Sequence, residues 1–150
     1  MKKYLLFLTA LLAACSSDAP ETDTTYPVIA TADLFPQPCT VLERGKTYTF
    51  VVTFSDNREL GSFNFDIHPN FDHHNHSTTA EACEEEPAKT PIRPFSLVQP
   101  FSIPEGLKSY TAREQVTIPA DVDSGDYHFR VDVTDKTGWQ TIKTMGIKIK

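Results

Sequence analysis

The segment Ile118–Trp139, IPADVDSGDYHFRVDVTDKTGW, carries the clearest fold signal in the chain. From Tyr127 to Thr134, apolar and polar residues alternate strictly, which is the period of a half-buried β-strand. The residues predicted to face inward are Tyr127, Phe129, Val131 and Val133. Asp135-Lys136-Thr137-Gly138 then has the composition of a hairpin turn. The segment therefore predicts two antiparallel strands, the second running from Thr141 to Ile149.

Two upstream segments, Thr47–Phe54 and Gly61–His68, show the same alternation, and Glu114–Ile118 is a less regular strand. Their predicted inward residues are Tyr48, Phe50, Val52, Phe54, Phe63, Phe65 and Ile67. No long stretch after Tyr26 has a helical period, so the chain is predicted to be all-β. Several short strands separated by turns are typical of a β-sandwich.

The segment Ile118–Tyr127 resembles the E–F corner of immunoglobulin-like and fibronectin-like domains. In those domains Gly-x-Tyr, here Gly125 to Tyr127, begins strand F, and the tyrosine can form a hydrogen-bonded corner. The B–F cysteine pair and strand-C tryptophan of antibody domains are missing here. The resemblance therefore implies the architecture alone: an all-β, immunoglobulin-like or fibronectin-like β-sandwich over residues 26–150, with a long His-rich loop.

That loop is expected to be proline-rich, from Pro69 to Pro104. Its prolines are Pro69, Pro87, Pro91, Pro94, Pro100 and Pro104, a density that argues against a central strand. Long loops in compact domains are usually functional or disordered.

The N-terminus predicts export. Met1–Lys3 is positively charged and is followed by an apolar run, Tyr4–Ala14, that is too short to span a bilayer. Leu12-Ala13-Ala14-Cys15 resembles the lipobox of bacterial lipoprotein precursors, which implies that residues 1–14 are a signal peptide and that Cys15 is lipidated. The alternative is an ordinary signal peptide followed by a chance cysteine. Residues 15–25 are small, polar and acidic, and are expected to form a flexible tether.

The expected location is thus the bacterial cell envelope, as an outer membrane lipoprotein that is periplasmic or surface-exposed. The chain has 14 basic and 20 acidic residues and a net charge of −6. Loss of Lys2 and Lys3 leaves 12 basic against 20 acidic residues, a net charge of −8. Such an acidic domain is a poor partner for nucleic acid. We expect the protein to contact the membrane through its lipid. We expect its protein partner to be an outer-membrane transporter or a surface complex.

Three cysteines are present, and with Cys15 lipidated, Cys39 and Cys83 remain. In an oxidising envelope two such thiols most simply form a disulfide. The competing hypothesis makes Cys83 a metal ligand.

Histidines give the strongest functional signal. The segment from Asp66 to His76 has the pattern D-x-H-x3-D-H-H-x-H, and imidazole is the commonest ligand for Zn(II), Cu(II) and Ni(II). In an extended chain, residues two apart share a face. Asp66 with His68, and His74 with His76, therefore form two potential chelating pairs. The predicted ligands are His68, His73, His74, His76 and His128, with Asp66 and Asp72 as ligands or as partners that orient an imidazole.

The predicted fold brings the distant His128 close to the others. Strands C and F are antiparallel neighbours in such a sandwich, so His68, which ends C, should lie beside His128 near the start of F. Two other interpretations remain: a solvated His-rich loop, and a pH sensor whose imidazoles titrate near pH 6.5.

Acidic clusters are interpreted more simply. Asp56–Glu59 is turn chemistry in the B–C loop. Asp121, Asp123 and Asp126 fit no EF-hand spacing and are better explained by the E–F corner. Glu84–Glu86 either adds oxygen ligands to the metal site or, more simply, is solvated.

Taken together, Asp56–Leu60, Gly61–His68 and Asn70–His76 resemble an uncharacterised family of Bacteroidetes lipoproteins with an immunoglobulin-like domain of unknown function. That resemblance implies the fold and the envelope location and no activity. The leading hypothesis from the residues is a non-enzymatic lipoprotein that binds zinc or copper. The alternative is an interaction or scaffold module in a surface uptake or adhesion complex. An enzyme is not expected, because the chain has no HExxH and no nucleophile motif.

Overall fold

The computed structural model describes residues 22–76 and 83–150. The predicted signal peptide, the predicted lipidation site Cys15 and most of the predicted tether lie outside these residues. The eight strands are β1 (Val28–Ile29), β2 (Val41–Leu42), β3 (Thr47–Ser55), β4 (Leu60–Pro69), β5 (Leu97–Ser102), β6 (Ser109–Thr117), β7 (Gly125–Asp135) and β8 (Gln140–Ile149). The described part of the chain contains no helix long and apolar enough to cross a membrane.

The strands form two sheets packed face to face. One has the order β1-β3-β6 and the other the order β2-β8-β7-β4-β5. All pairings are antiparallel except that of β2 with β8. In immunoglobulin terms these are sheets A-B-E and A′-G-F-C-C′, so the predicted all-β, immunoglobulin-like β-sandwich is confirmed.

The core lies between the sheets and follows the predicted alternation. Phe50 of β3 contacts Phe65 of β4 at a centroid distance of 6.0 Å and Phe129 of β7 at 5.0 Å. All three rings are completely buried. Burying one such side chain contributes about 1.5–3 kcal/mol. The residues that alternate with them point outward, which is how β4 and β7 present polar side chains on the outer face of the five-stranded sheet.

One strand lies where a loop was predicted. β5 falls inside Pro69–Pro104 and contains Pro100, but it pairs only with β4 and forms the edge of its sheet. An edge strand tolerates proline because one side of its backbone needs no ladder partner.

The two-residue strands β1 and β2 were also not predicted, since two residues are too few to show a period. β6 begins at Ser109, before the predicted Glu114.

The tyrosine corner forms as the resemblance implied. The Tyr127 hydroxyl donates to the carbonyl oxygen of Asp123 at 2.7 Å and accepts from the N–H of Phe95 at 3.2 Å. The tyrosine is 1% exposed. Its hydroxyl thus connects the E–F corner to the segment that leads into β5.

Tyr127→Phe is therefore expected to lower the free energy of unfolding by about 1–3 kcal/mol, because it leaves a buried N–H and a carbonyl without their partner. Urea unfolding measures this loss. Tyr26→Phe, at an exposed ring, serves as the control and should leave the midpoint unchanged. Equal midpoints for the two variants would show that the corner adds no stability.

Cys39 and Cys83 form the predicted disulfide, with Cα atoms 5.5 Å apart. The bond lies against β8 at Gly146, where an added Cβ would come within 3.1 Å of the Cys83 Sγ. The N–H of Cys39 donates to the Gly146 carbonyl oxygen at 2.8 Å. The pairing contradicts the competing hypothesis that Cys83 is a metal ligand.

Candidate metal centre

The outer face of the five-stranded sheet brings His68 and His128 together. They are direct partners in the antiparallel register of β4 and β7. Their ring centroids are 5.5 Å apart. The two residues are 60 positions apart in the chain, so strand pairing creates this contact.

The loop that follows β4 supplies two more imidazoles. The N–H of Asn70 donates to the Asp126 carbonyl oxygen at 2.8 Å, and the Phe71 ring packs on Tyr127 at a centroid distance of 5.2 Å. These contacts hold the loop against the start of β7. His74 and His76 then point back toward the sheet, with centroids 5.1 and 4.8 Å from that of His128.

These four residues, His68, His74, His76 and His128, form what we call the histidine cluster. One ring nitrogen of each lies within 4.8 Å of those of the others. The Nε2 atoms of His68 and His76 are 3.0 Å apart. Four nitrogens at 2.0–2.1 Å from a tetrahedral zinc ion are about 3.3 Å from one another. The cluster is thus close to the size of a zinc coordination sphere and needs only a small contraction to close on an ion.

Two carboxylates orient imidazoles of the cluster. The Nδ1 of His68 is 2.7 Å from Asp66 Oδ1, and the Nδ1 of His74 is 2.6 Å from Asp72 Oδ1. With Nδ1–H donating to the carboxylate, Nε2 keeps its lone pair for a metal. The hydrogen bond from His74 holds the pKa of Asp72 below its usual value, so Asp72 is ionised at neutral pH. Asp66 and Asp72 therefore lie behind the imidazoles, as orienting partners.

His128 has a strongly lowered pKa. Burial, and then the neighbouring imidazoles of His76, His68 and His74, lower its pKa to about 4. Burial and the nearby His68 and His74 also lower the pKa of His76. Both rings are neutral at pH 7, which is the form that binds metals.

The Nδ1 of His128 is buried and makes no hydrogen bond within residues 22–76 and 83–150. A buried polar atom without a partner costs about 1–3 kcal/mol. Coordination of a cation by this nitrogen would remove that cost, so the donor set fits a transition metal.

His73, a predicted ligand, lies outside the histidine cluster. Its backbone has a positive φ of 57°. Its Nε2 is 2.8 Å from the Glu86 carbonyl oxygen, and its Nδ1 is 3.7 Å from Glu85 Oε2. Its ring is thus held by the segment that contains Glu85 and Glu86. The rings of His74 and His76, which follow it in the same loop, belong to the cluster.

At the opposite end of β4, three aspartates come together that sequence reasoning interpreted separately. One carboxylate oxygen each of Asp23, Asp56 and Asp135 lies within 4.8 Å of the others. The strand topology could have predicted that two of them are close. In this fold the B–C loop, which holds Asp56, and the F–G turn, which holds Asp135, lie at the same end of the sandwich. Asp23 lies in the predicted tether, and nothing local in the sequence marks it as part of this group.

Fold and site together define a class: an immunoglobulin-like β-sandwich with a four-histidine cluster on the outer face of its larger sheet. The chain belongs to the family described as domain of unknown function DUF4625, whose model matches residues 13–150. The family match agrees with the resemblance to a domain of unknown function drawn from the sequence.

Among solved structures, the chain is similar to one described as the GspB Siglec domain. The two share 21% sequence identity with a TM-score of 0.45, over 85% of this chain and 59% of the other. This chain therefore matches less than two thirds of that structure. No curated protein matches the chain.

Proposed function

We propose that this protein is an envelope-anchored lipoprotein that captures a zinc or copper ion at the histidine cluster. The observation that carries the proposal is the convergence of four imidazole nitrogens, from two strands and one loop, within 4.8 Å of one another. The envelope location rests on the leader sequence and its lipobox-like motif. Capture would either hold the ion for an outer-membrane transporter or keep it from other proteins.

The chemistry of the donors selects the class of ion. Imidazole nitrogen suits zinc and copper, whereas calcium and magnesium prefer oxygen. Neither Cys39 nor Cys83 offers a thiolate, because they are joined to each other. A cluster that provides nitrogen alone, with carboxylates only behind it, therefore favours a borderline transition-metal ion.

The number of ligands favours binding over catalysis. A zinc site with four protein ligands is closed, while catalytic zinc keeps one position for water or substrate. With His68, His74, His76 and His128 all bound to one ion, no position remains for a reacting water. The expectation that the protein is not an enzyme stays a prediction, and this geometry supports it.

Calorimetric titration of Zn(II) and Cu(II) into metal-free protein, purified without a polyhistidine tag, tests the proposal. We expect one ion per chain, bound with sub-micromolar Kd. His73→Ala is the matched control and should bind as the wild type does, since His73 lies outside the cluster. Affinity no tighter than high micromolar for both metals would overturn the proposal.

Asp66→Asn is expected to weaken metal binding by about 10–100-fold, because it removes the charge that orients His68 and raises its basicity. The same titration measures the loss. Asp121→Asn, at an exposed side chain paired with Arg93, is the control. A wild-type Kd for Asp66→Asn would mean that the carboxylate plays no part in holding the ion.

The alternative function, an interaction or scaffold module of a surface complex, makes a different prediction for the same residues. Alanine at His68 and His128 should then leave partner capture intact. Pull-down from solubilised envelopes with wild-type and variant protein distinguishes the two.

A further inference from the structure

The three aspartates at the other end of the sandwich form a group that we call the aspartate cluster: Asp23, Asp56 and Asp135. Asp56 follows β3 in the B–C loop, and Asp135 ends β7 at the F–G turn. Asp23 comes from the N-terminal segment, which is held there because the Trp139 Nε1–H donates to the Asp23 carbonyl oxygen at 2.8 Å. The cluster thus joins three separate parts of the chain.

One oxygen of each carboxylate accepts hydrogen bonds from neighbouring groups of the protein. Oδ2 of Asp56 accepts from the N–H of Arg58 at 2.6 Å and that of Glu59 at 2.9 Å. Oδ1 of Asp135 accepts from three N–H groups of its own turn, those of Thr137, Gly138 and Trp139. Oδ1 of Asp23 accepts from the Thr25 N–H at 3.0 Å and the Asn57 amide at 3.1 Å.

Two of the remaining oxygens have no such partner. Asp23 Oδ2 and Asp56 Oδ1 are buried and accept no hydrogen bond from the described residues. The Asp23 side chain is 1% exposed, and the Arg58 Nε lies 3.9 Å from its Oδ2, beyond hydrogen-bond distance. The Asp135 Oδ2 accepts only from the Thr137 hydroxyl among the contacts described, at 3.0 Å. A buried carboxylate oxygen that accepts no hydrogen bond is costly. The ion pair with Arg58 offsets this cost only in part, because Asp56 and Asp135 add two further negative charges beside Asp23.

We propose that the aspartate cluster binds a hard divalent cation, and that this cation is Ca²⁺. Three carboxylates carry three negative charges, which a divalent ion and the Arg58 guanidinium together neutralise. Carboxylate oxygen is the preferred donor for such ions. Ca²⁺ accepts six to eight oxygens in flexible geometry, whereas Mg²⁺ demands a near-ideal octahedron. A cluster assembled from two turns and a terminal segment suits the tolerant ion, with water completing its shell.

The bound ion ties the N-terminal segment to the body of the domain. Asp23 is the one member of the cluster that precedes β1, so coordination fixes where the chain enters the sandwich. For a domain held by an N-terminal anchor, this shortens the predicted tether, because the chain is fixed from Asp23 onward. The two clusters are independent, because they lie at opposite ends of β4, about 25 Å apart at 3.3 Å per residue.

Terbium luminescence tests the proposal. Tb³⁺ replaces Ca²⁺ at oxygen sites, and Trp139, the single tryptophan, adjoins the aspartate cluster and can sensitise its emission. We expect saturable emission on excitation of Trp139. Ca²⁺ should displace the probe, with a Kd of about 10⁻⁴–10⁻³ M, the range of extracellular calcium modules.

Asp56→Asn and Asp23→Asn keep the shape of each side chain and should each weaken Tb³⁺ and Ca²⁺ binding by about tenfold or more. Asp135 is left intact because it organises its turn. Asp121→Asn, at the E–F corner, is the matched control and should bind as the wild type does. Circular dichroism confirms that the variants fold.

The outcomes separate this inference from the proposed function. Loss of Tb³⁺ emission in Asp56→Asn with an unchanged zinc titration supports a second, calcium-selective site. Emission that persists in both aspartate variants, or that Ca²⁺ does not displace, overturns the inference whatever the histidine cluster binds.

Discussion

The double variant His68→Ala, His128→Ala is expected to lose zinc and copper binding altogether while keeping its fold. The two residues supply half of the histidine cluster and are direct partners across β4 and β7. Two imidazoles from a loop, His74 and His76, cannot alone complete a four-coordinate site. Because both replaced side chains lie on the outer face of the sheet, the core beneath them is unchanged.

The size of the effect is set by linkage between binding and folding. Zinc at 100 times its Kd stabilises the native state by about 2.7 kcal/mol. For a domain of this size that corresponds to a rise in Tm of about 5–11 °C. We expect this rise in the wild type and none in the double variant, as measured by thermal unfolding with and without Zn(II).

His73→Ala is the control for this experiment, as an adjacent histidine of the same loop that lies outside the cluster. It should retain the full zinc-dependent rise in Tm. An equal rise in wild type and double variant would show that zinc binds elsewhere, and the proposed function would fail. A loss in His73→Ala alone would place the site on the loop segment near Glu85 and Glu86.

Removal of the disulfide is expected to have the largest effect on stability. Cys39 and Cys83 are separated by 44 residues. Closing a loop of that length removes chain entropy from the unfolded state worth about 4 kcal/mol at 25 °C. The variant Cys39→Ala, Cys83→Ala should therefore show a Tm lower by about 8–16 °C, with a matching loss in urea unfolding.

The same variant should also bind metal more weakly, because the closed loop contains three of the four ligands. His74 and His76 lie between β4, which holds one end of their segment, and Cys83, which the disulfide holds against Gly146. Without that second attachment, binding must order the segment at an entropic cost. A reducing agent should lower the Tm and weaken metal binding in the wild type. It should change neither quantity in the Cys39→Ala, Cys83→Ala variant. An unchanged Tm and an unchanged zinc Kd would contradict this account.

Local sequence patterns predicted much of the fold. The alternation from Tyr127 to Thr134 identified a half-buried strand, and the structure buries its predicted inward residues. Gly125 and Tyr127 predicted the corner that the Tyr127 hydroxyl forms. The His68–His128 contact needed one further step, the pairing of strands C and F. The strand and the corner follow from short-range sequence patterns. The His68–His128 contact follows from a topology that a few short motifs are enough to specify.

Other features depended on contacts between distant parts of the chain. β5 exists because β4 offers it an edge, and no period within its own residues predicted it. His73 departs from the histidine cluster because the segment after the loop binds its ring. Asp23 becomes buried because Trp139, far along the chain, holds its backbone. Residue order and periodicity therefore predicted the five longest strands, the core face and the histidine-rich candidate site. Three-dimensional packing selected which side chains converge, because burial and pairing between distant segments leave no signal in either segment alone.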